Sequence, residues 1–172
     1  MEQLVLTVLA PDKAGQVESI AECVAAHQGN WLESQMARMG GHFAGILRIE
    51  VPASRKATLT EALGRLQERG IGVLIEPTAP LETGRWKPVN LSLTANDRPG
   101  IVRDISRLLA GQGVNVERLS TAVCPAPMSN EALFQAQAQL AVPEGLALGD
   151  LQRAFETLAD ELLVELNLTA AV

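Results

Sequence analysis

Two short stretches of the chain carry the residue types that a small zwitterion needs. "PDKAG" spans Pro11 to Gly15 and "NDRPG" spans Asn96 to Gly100, and each ends where an apolar-periodic run begins. Asp12 and Asp97 stand 85 residues apart, as do Gly15 and Gly100, and Asn30 and Asn115 keep the same offset. A helix opening after such a loop presents free backbone N–H groups and a positive dipole end, which suit a carboxylate. An aspartate beside it suits an ammonium through a charge-assisted hydrogen bond. A carboxamide offers a donor and an acceptor together. The candidate ligand residues are therefore Asn96, Asp97, Gly100, Ile101 and Asn115 in one stretch, and Asp12, Gly15 and Asn30 in the other. Each asparagine opens a strand and is expected to lie beside its loop.

The same atoms also have an architectural reading. Asp97 can cap the helix by accepting backbone N–H bonds, and Pro99 suits a first helical turn. Gly100 lets the loop pack closely on a neighbour, and Asn115 serves as a turn residue. Magnitude bounds the ligand reading. For a solute of about five heavy atoms, a ceiling near −1.5 kcal/mol per atom gives a dissociation constant of about a few micromolar at best. That affinity suits a sensor of an abundant small amino acid, glycine or similar.

The elements that must position these residues occur twice, and an internal repeat decides the fold. In the first half "LVLTVLA" alternates as a strand, and Val17, Ile20, Ala21 and Val24 mark a helix from Gln16 to about Gln28. Gly29 is expected as its left-handed cap. "WLESQMARM" and "HFAGILRIEV" flank Gly40 and Gly41 as a hairpin. Leu59, Ala62, Leu63 and Leu66 mark a second helix closed by Gly70, and "VLIEP" ends the unit. The second half repeats the order: a strand from Val89 to Ala95, then a helix striped by Val102, Ile105 and Leu109. Strands follow from Asn115 to about Cys124 and through "ALFQAQAQLAV", then a helix striped by Leu148, Leu151, Phe155, Leu158 and Leu162, and finally "LVELNLT".

The expected class is α+β: two ferredoxin-like βαββαβ units, each an antiparallel four-stranded sheet with two helices on one face. The units are placed at residues 1–79 and 89–172, with a Pro-containing linker at 80–88. In the second unit Gln135, Gln137 and Gln139 alternate with Phe134, Ala136, Ala138 and Leu140, giving one polar and one dry face. Ile46 on the outward side of the first unit's strand points to partial cover by a neighbour. Trp31 and Trp86 are expected to anchor packing, Trp86 within the linker by pinning the two units. A unit of about 75–80 residues is marginal alone, so pairing within the chain or in a homo-oligomer, a dimer, is expected.

Composition excludes several function classes. The net charge is −6, made up of −2 over residues 1–79, +1 over 80–87 and −5 over 88–172, so no half offers the cation cluster that a phosphate backbone requires. Direct nucleic-acid binding is not expected. No apolar run approaches the roughly 18–20 residues that cross a bilayer, and Glu2 stands where a secretory signal wants positive charge, so no membrane role is expected. Cys23 and Cys124 lack CxxC spacing, which fits inert thiols in a reducing cytoplasm. His27 and His42 are isolated, without zinc-ligand spacing, so no metal site is expected. No nucleophile elbow occurs, and Gly40, Gly41 and Gly45 sit in a hairpin without the Lys-Ser/Thr of a phosphate loop. No catalytic constellation can be named, the protein is expected not to be an enzyme, and no cofactor is called for.

"NDRPG", the following helix "IVRDISRLLAGQG" and then "VNV", within a βαββαβ order, resemble the ACT domain, a small-molecule sensing module. Asn96 to Val116 carries the resemblance. The first unit departs from it, since "DKAG" lacks the proline and "GNW" replaces "GVNV"; its inclusion rests on the 85-residue register. The resemblance implies a ligand site where one unit's loop faces another unit, so that a second wall comes from the other half or another subunit. The chain is similar to free-standing regulators made of two ACT units without an attached enzyme, which implies a cytoplasmic location. Likeness to them implies an amino acid as signal and a partner transcription factor as the target, with no direct contact to DNA.

Overall fold

The computed structural model describes residues 1–80, 84–162 and 165–171. The chain divides into two compact units, Met1–Leu81 and Glu82–Val172. The first contains β1 (Glu2–Pro11), α1 (Gln16–Ala26), β2 (Asn30–Met39), β3 (His42–Val51), α2 (Lys56–Arg65) and β4 (Gly72–Pro77). The second repeats the order as β5 (Trp86–Asn96), α3 (Ile101–Gly111), β6 (Asn115–Pro125), β7 (Ala132–Pro143), α4 (Leu148–Leu162) and β8 (Glu165–Ala170). Both sheets are antiparallel, ordered β2-β3-β1-β4 and β6-β7-β5-β8. The α+β class and the doubled βαββαβ unit are as the sequence leads one to expect.

Period-two patterning explains the layers. Along β1, Leu4, Leu6, Val8 and Ala10 are essentially buried and join Ile20 and Val24 of α1 and Leu59 and Leu63 of α2 in one core. Val89, Leu91, Leu93 and Ala95 of β5 do the same with Ile105 and Leu109 of α3 and Leu151 and Phe155 of α4. Burying each large aliphatic side chain contributes roughly 1.5–3 kcal/mol, and the inward stripe fixes register, because a one-residue slip would turn it to water. On β7 the alternation holds: Phe134, Ala136, Ala138 and Leu140 are buried, while Gln135, Gln137 and Gln139 are exposed. On the outward face of the first sheet Leu9, Ile46 and Leu74 stand 51–69% exposed, with Ile46 and Leu74 both opposite Thr7.

Several local expectations are corrected. The stretch 80–88 is not all linker: β5 begins at Trp86, which pairs with Pro143, and Lys87 donates from Nζ to the Leu146 carbonyl at 2.6 Å. Leu81 to Thr83 lie outside the described residues, as do residues 163 and 164 of the expected last strand. At the end of α1 the left-handed residue is Gln28, with φ 61°, and not Gly29. The matching position in the second unit is Gly113, with φ 69°. The first unit thus places a side chain where backbone sterics favour glycine.

The two copies also differ beside their edge strands. In the first unit Trp31 and Met36 of β2 pack against the core. At the matching positions of β6 stand Val116 and Thr121, which line a narrow apolar crevice between α3 and the sheet.

Candidate functional site

Each candidate loop runs from the end of the unit's first strand into its first helix, and both are built on the same backbone. Gly15 and Gly100 are the residues preceding α1 and α3, in left-handed conformation with φ 90° and 85°. That conformation, which any side chain would strain, is the reason for glycine here. At Gly15 an added Cβ would meet nothing nearer than Glu18 Oε2 at 4.0 Å. Neither helix has a side-chain cap. Asp97 therefore does not cap α3, and Pro99 lies before the helix, not in its first turn. Asp97 is exposed, and its backbone N–H donates to the Ala132 carbonyl at 2.9 Å. The architectural account of this aspartate fails, while that of the glycine stands in altered form.

The first ladder bond of α1 runs from the Ser19 N–H to the Gly15 carbonyl at 3.0 Å, which leaves the N–H groups of Gln16, Val17 and Glu18 without a helical acceptor. The loop is stapled from inside the unit. Buried Gln16 donates from Nε2 to the Pro11 carbonyl at 2.9 Å, and buried Ser19 donates from Oγ to the Gly15 carbonyl at 2.8 Å. Asp12 lies 3.6 Å from the Arg38 guanidinium, a solvent-screened pair worth about 1 kcal/mol at most. Two open depressions flank the loop, about 570 and 370 Å³ in volume. The larger brings Lys13 and Arg69 together with Glu18 and Glu22, and none of the four is in an ion pair among the described residues.

The second loop is closed electrostatically on itself. Arg98 reaches Asp104 at 2.6 Å, and Arg103 reaches the same carboxylate at 3.0 Å. These hydrogen bonds, from Arg98 first and Arg103 second, hold the Asp104 carboxyl below the ordinary carboxylate range. The matching residues in the first unit are Lys13, Glu18 and Ser19, which cannot form that triad. Ile101 has its side chain in the core, 3% exposed, and its N–H points at the Arg98 carbonyl at 3.4 Å.

Asn30 and Asn115 are not beside these loops. Asn96, at the loop end of β5, pairs with Leu133, whereas Asn115 pairs with Ala141, eight residues further along β7. In the first unit Pro11 pairs with His42 and Asn30 with Glu50, again eight residues along β3. At about 3.3 Å per residue the asparagines lie roughly 26 Å from their own loops. The helix between the two strands carries the chain back to the opposite end of the sheet, so parallel non-neighbouring strands start level with each other. Asn30 donates weakly to Glu50 Oε1 at 3.4 Å, and Asn115 is exposed.

The residues missed by sequence reasoning are Lys13, Glu18, Glu22 and Arg69. A signal existed for two of them: Glu18 and Glu22 are like charges at i and i+4, an arrangement that costs an isolated helix a few tenths of a kcal/mol. Among the described residues no three His, Cys, Asp or Glu side chains gather as metal ligands, and no helix is long and apolar enough to cross a membrane.

Residues 2–75 match the family model of the ACT domain. That match spans the first unit, and the second unit repeats its element order and sheet order. It is 24% identical over 166 residues to the glycine cleavage system transcriptional repressor of Escherichia coli (strain K12), covering 92% of this chain and 85% of that one. The repressor of the same name from Shigella flexneri matches equally. Among solved structures, an unknown protein from Galdieria sulphuraria shares the fold with a TM-score of 0.84 at 24% identity, over 99% of both chains. A protein provisionally named glycine cleavage system transcriptional repressor does so with a TM-score of 0.73 at 20% identity, over 99% of this chain and 98% of that one.

Proposed function

We propose that this protein is a non-enzymatic, amino-acid-sensing regulator, a transcriptional repressor of the glycine-cleavage type. It works in the cytoplasm through a partner transcription factor and does not grip DNA itself. The observation that carries the sensing is the depression of the first unit, lined by two cations and two carboxylates that are in no ion pair among the described residues, beside helical N–H groups without a ladder acceptor. The ligand's carboxylate takes the N–H groups of Gln16 to Glu18 with Lys13 or Arg69. Its ammonium takes Glu18 or Glu22, with Asp12 on the far side of the loop.

Gly15 and Gly100 supply the turn. Asn96, Asp97 and the Ile101 backbone form the equivalent, weaker site of the second unit. Asn30 and Asn115 contribute only to a site completed by another copy of the chain, since each is at the wrong end of its own sheet. A homodimer is the simplest source of such a second wall. Glycine or a similarly small amino acid fits a site with no apolar side-chain pocket in its charged part. A ligand regulates by binding one arrangement better than another, and equal affinity for both would change nothing.

A ligand-free adaptor that oligomerises through its sheets is the second reading, favoured by exposed Leu9, Ile46 and Leu74 on the outer face of the first sheet. Calorimetry with glycine and serine separates the two. Sensing requires that one of them bind at millimolar concentration or below and that Asp12→Ala weaken binding more than folding. No heat with either amino acid, on folded protein, leaves the adaptor. Capture of partners from the native cytoplasm with and without glycine tests the output, and a DNA shift by the purified protein at physiological salt would overturn the indirect mode.

A further inference from the structure

The outward face of the second sheet has a chemistry that the first sheet lacks. Cross-strand register sets Arg118, Gln139 and Asn90 in one transverse row and Gln137, Ser92 and Asn167 in the next. All six are exposed and line one open depression of about 310 Å³, at the lower end of the roughly 300–1,000 Å³ of small-molecule clefts. Asn90 and Ser92 come from β5 and Gln137 and Gln139 from β7, the two central strands of the sheet. None of the six donates or accepts a side-chain hydrogen bond within the described residues.

An antiparallel sheet commonly turns one face to water, and solvation alone would account for polarity. It does not account for the kind of polarity. The matching rows of the first sheet carry Glu33, Arg48 and Glu76 together with Ile46 and Leu74. Here four carboxamides and three hydroxyls, those of Ser92, Ser120 and Thr169, lie beside a single cation on the edge strand, and among the described side chains no carboxylate lines the depression.

We propose that this depression binds a small hydroxylated monocarboxylate. Carboxamides and hydroxyls each offer donor and acceptor, and so match the hydroxyl groups of a polyol chain without committing to one orientation. The lone guanidinium of Arg118 forks onto one carboxylate. An amino acid is disfavoured, because its ammonium finds no anion among these side chains. A nucleobase finds no aromatic surface to stack on, and a polyphosphate finds one cation only. This site goes beyond the sensing role and stands without it.

The test uses the full chain with gluconate as probe, and with glucitol, the uncharged analogue, and serine as comparisons. Titration followed by backbone amide shifts is expected to move Asn90, Ser92, Gln137 and Asn167 with gluconate. Glucitol is expected to bind at least about tenfold more weakly, as loss of a charge-assisted bond implies, and serine is expected to leave these amides unmoved. Arg118→Gln brings gluconate down to the glucitol level, and Gln137→Leu weakens both; the two positions are exposed, and far-UV circular dichroism checks the fold. Equal binding of gluconate and glucitol, shifts confined to other residues, or no shift at all overturns the proposal. So does an Arg118→Gln protein that binds gluconate unchanged.

Discussion

Arg98 and Asp104 hold each other at 2.6 Å across the entrance of α3, and the matching residues at the entrance of α1, Lys13 and Ser19, form no such bond. One backbone geometry thus carries two electrostatic states. At the second entrance Asp104 pairs with Arg98 and Arg103 while Asp97 stays exposed; at the first, Asp12 lies near Arg38 while Lys13 and Glu18 are in no ion pair among the described residues.

The Asp104 titration reads that closure directly. Its carboxyl is held low by hydrogen bonds from Arg98 and then Arg103, against a smaller opposing effect of desolvation. In an NMR titration Arg98→Ala is expected to move the Asp104 pKa up toward the ordinary range, and Arg103→Ala to move it less. Because the folded value is depressed, the contribution to stability is full above the ordinary carboxylate range and is lost as pH falls through the folded value. An unchanged Asp104 titration in Arg98→Ala would show that the pair does not hold the carboxylate in solution.

The like charges of α1 make a second, opposed pair of effects. Replacing Glu22 by Gln removes an i, i+4 repulsion with Glu18 and is expected to stabilise the first unit by about 0.2–0.5 kcal/mol. The same change is expected to weaken amino-acid binding about tenfold, through loss of a charge-assisted bond. Urea denaturation and calorimetry on one preparation measure both. Tighter or unaltered binding in Glu22→Gln removes this carboxylate from the site.

Gly45 is a packing constraint of the first sheet. A Cβ there would lie 2.1 Å from the Gln35 carbonyl oxygen and 2.7 Å from Met36 Cα, both backbone atoms of the paired strand. Gly45→Ala is expected to cost about 2–3 kcal/mol, seen as a lower urea midpoint. The matching position on β7 is Ala136, opposite Thr121, where the ladder accepts a methyl group. A Gly45→Ala protein as stable as the parent contradicts the close approach.

Burial raises the Cys23 thiol above its ordinary pKa, so little thiolate exists near neutrality. Alkylation of Cys23 at pH 7.5–8, about where a free thiol begins to ionise, is expected to be slower than that of free cysteine and to accelerate on unfolding in urea. Reaction at the free-thiol rate in the folded protein would contradict the half-buried packing of Cys23 against the first unit's core.

Much of this was legible in residue order. Strand periodicity in "LVLTVLA" and "ALFQAQAQLAV" gave the dry and polar faces, and the 85-residue register gave the repeat, because both depend on neighbours along the chain. The loop chemistry was half legible. Asp12, Gly15, Asp97 and Gly100 were singled out, and the structure puts them at the two helix entrances, but the expected cap was wrong because Gly100, not Asp97, sits at the helix boundary. Glu22 and Arg69 were overlooked, since only the fold brings a residue from the turn after α2 to the first turns of α1.

The sequence by itself determined the duplicated βαββαβ unit, its buried stripes and the glycines at its helix entrances, since these follow from side-chain period and backbone sterics within short spans. Tertiary structure alone decided that Asn30 and Asn115 lie at the far end of the sheet from the loops they match in sequence. It also decided that Arg98 and Arg103 close on Asp104 at one entrance, while Asp12 at the other reaches Arg38 of β2. The reason is geometric: a crossover helix returns the chain to the opposite end of the sheet, so distance along the sequence says nothing about distance in space until the strands have paired.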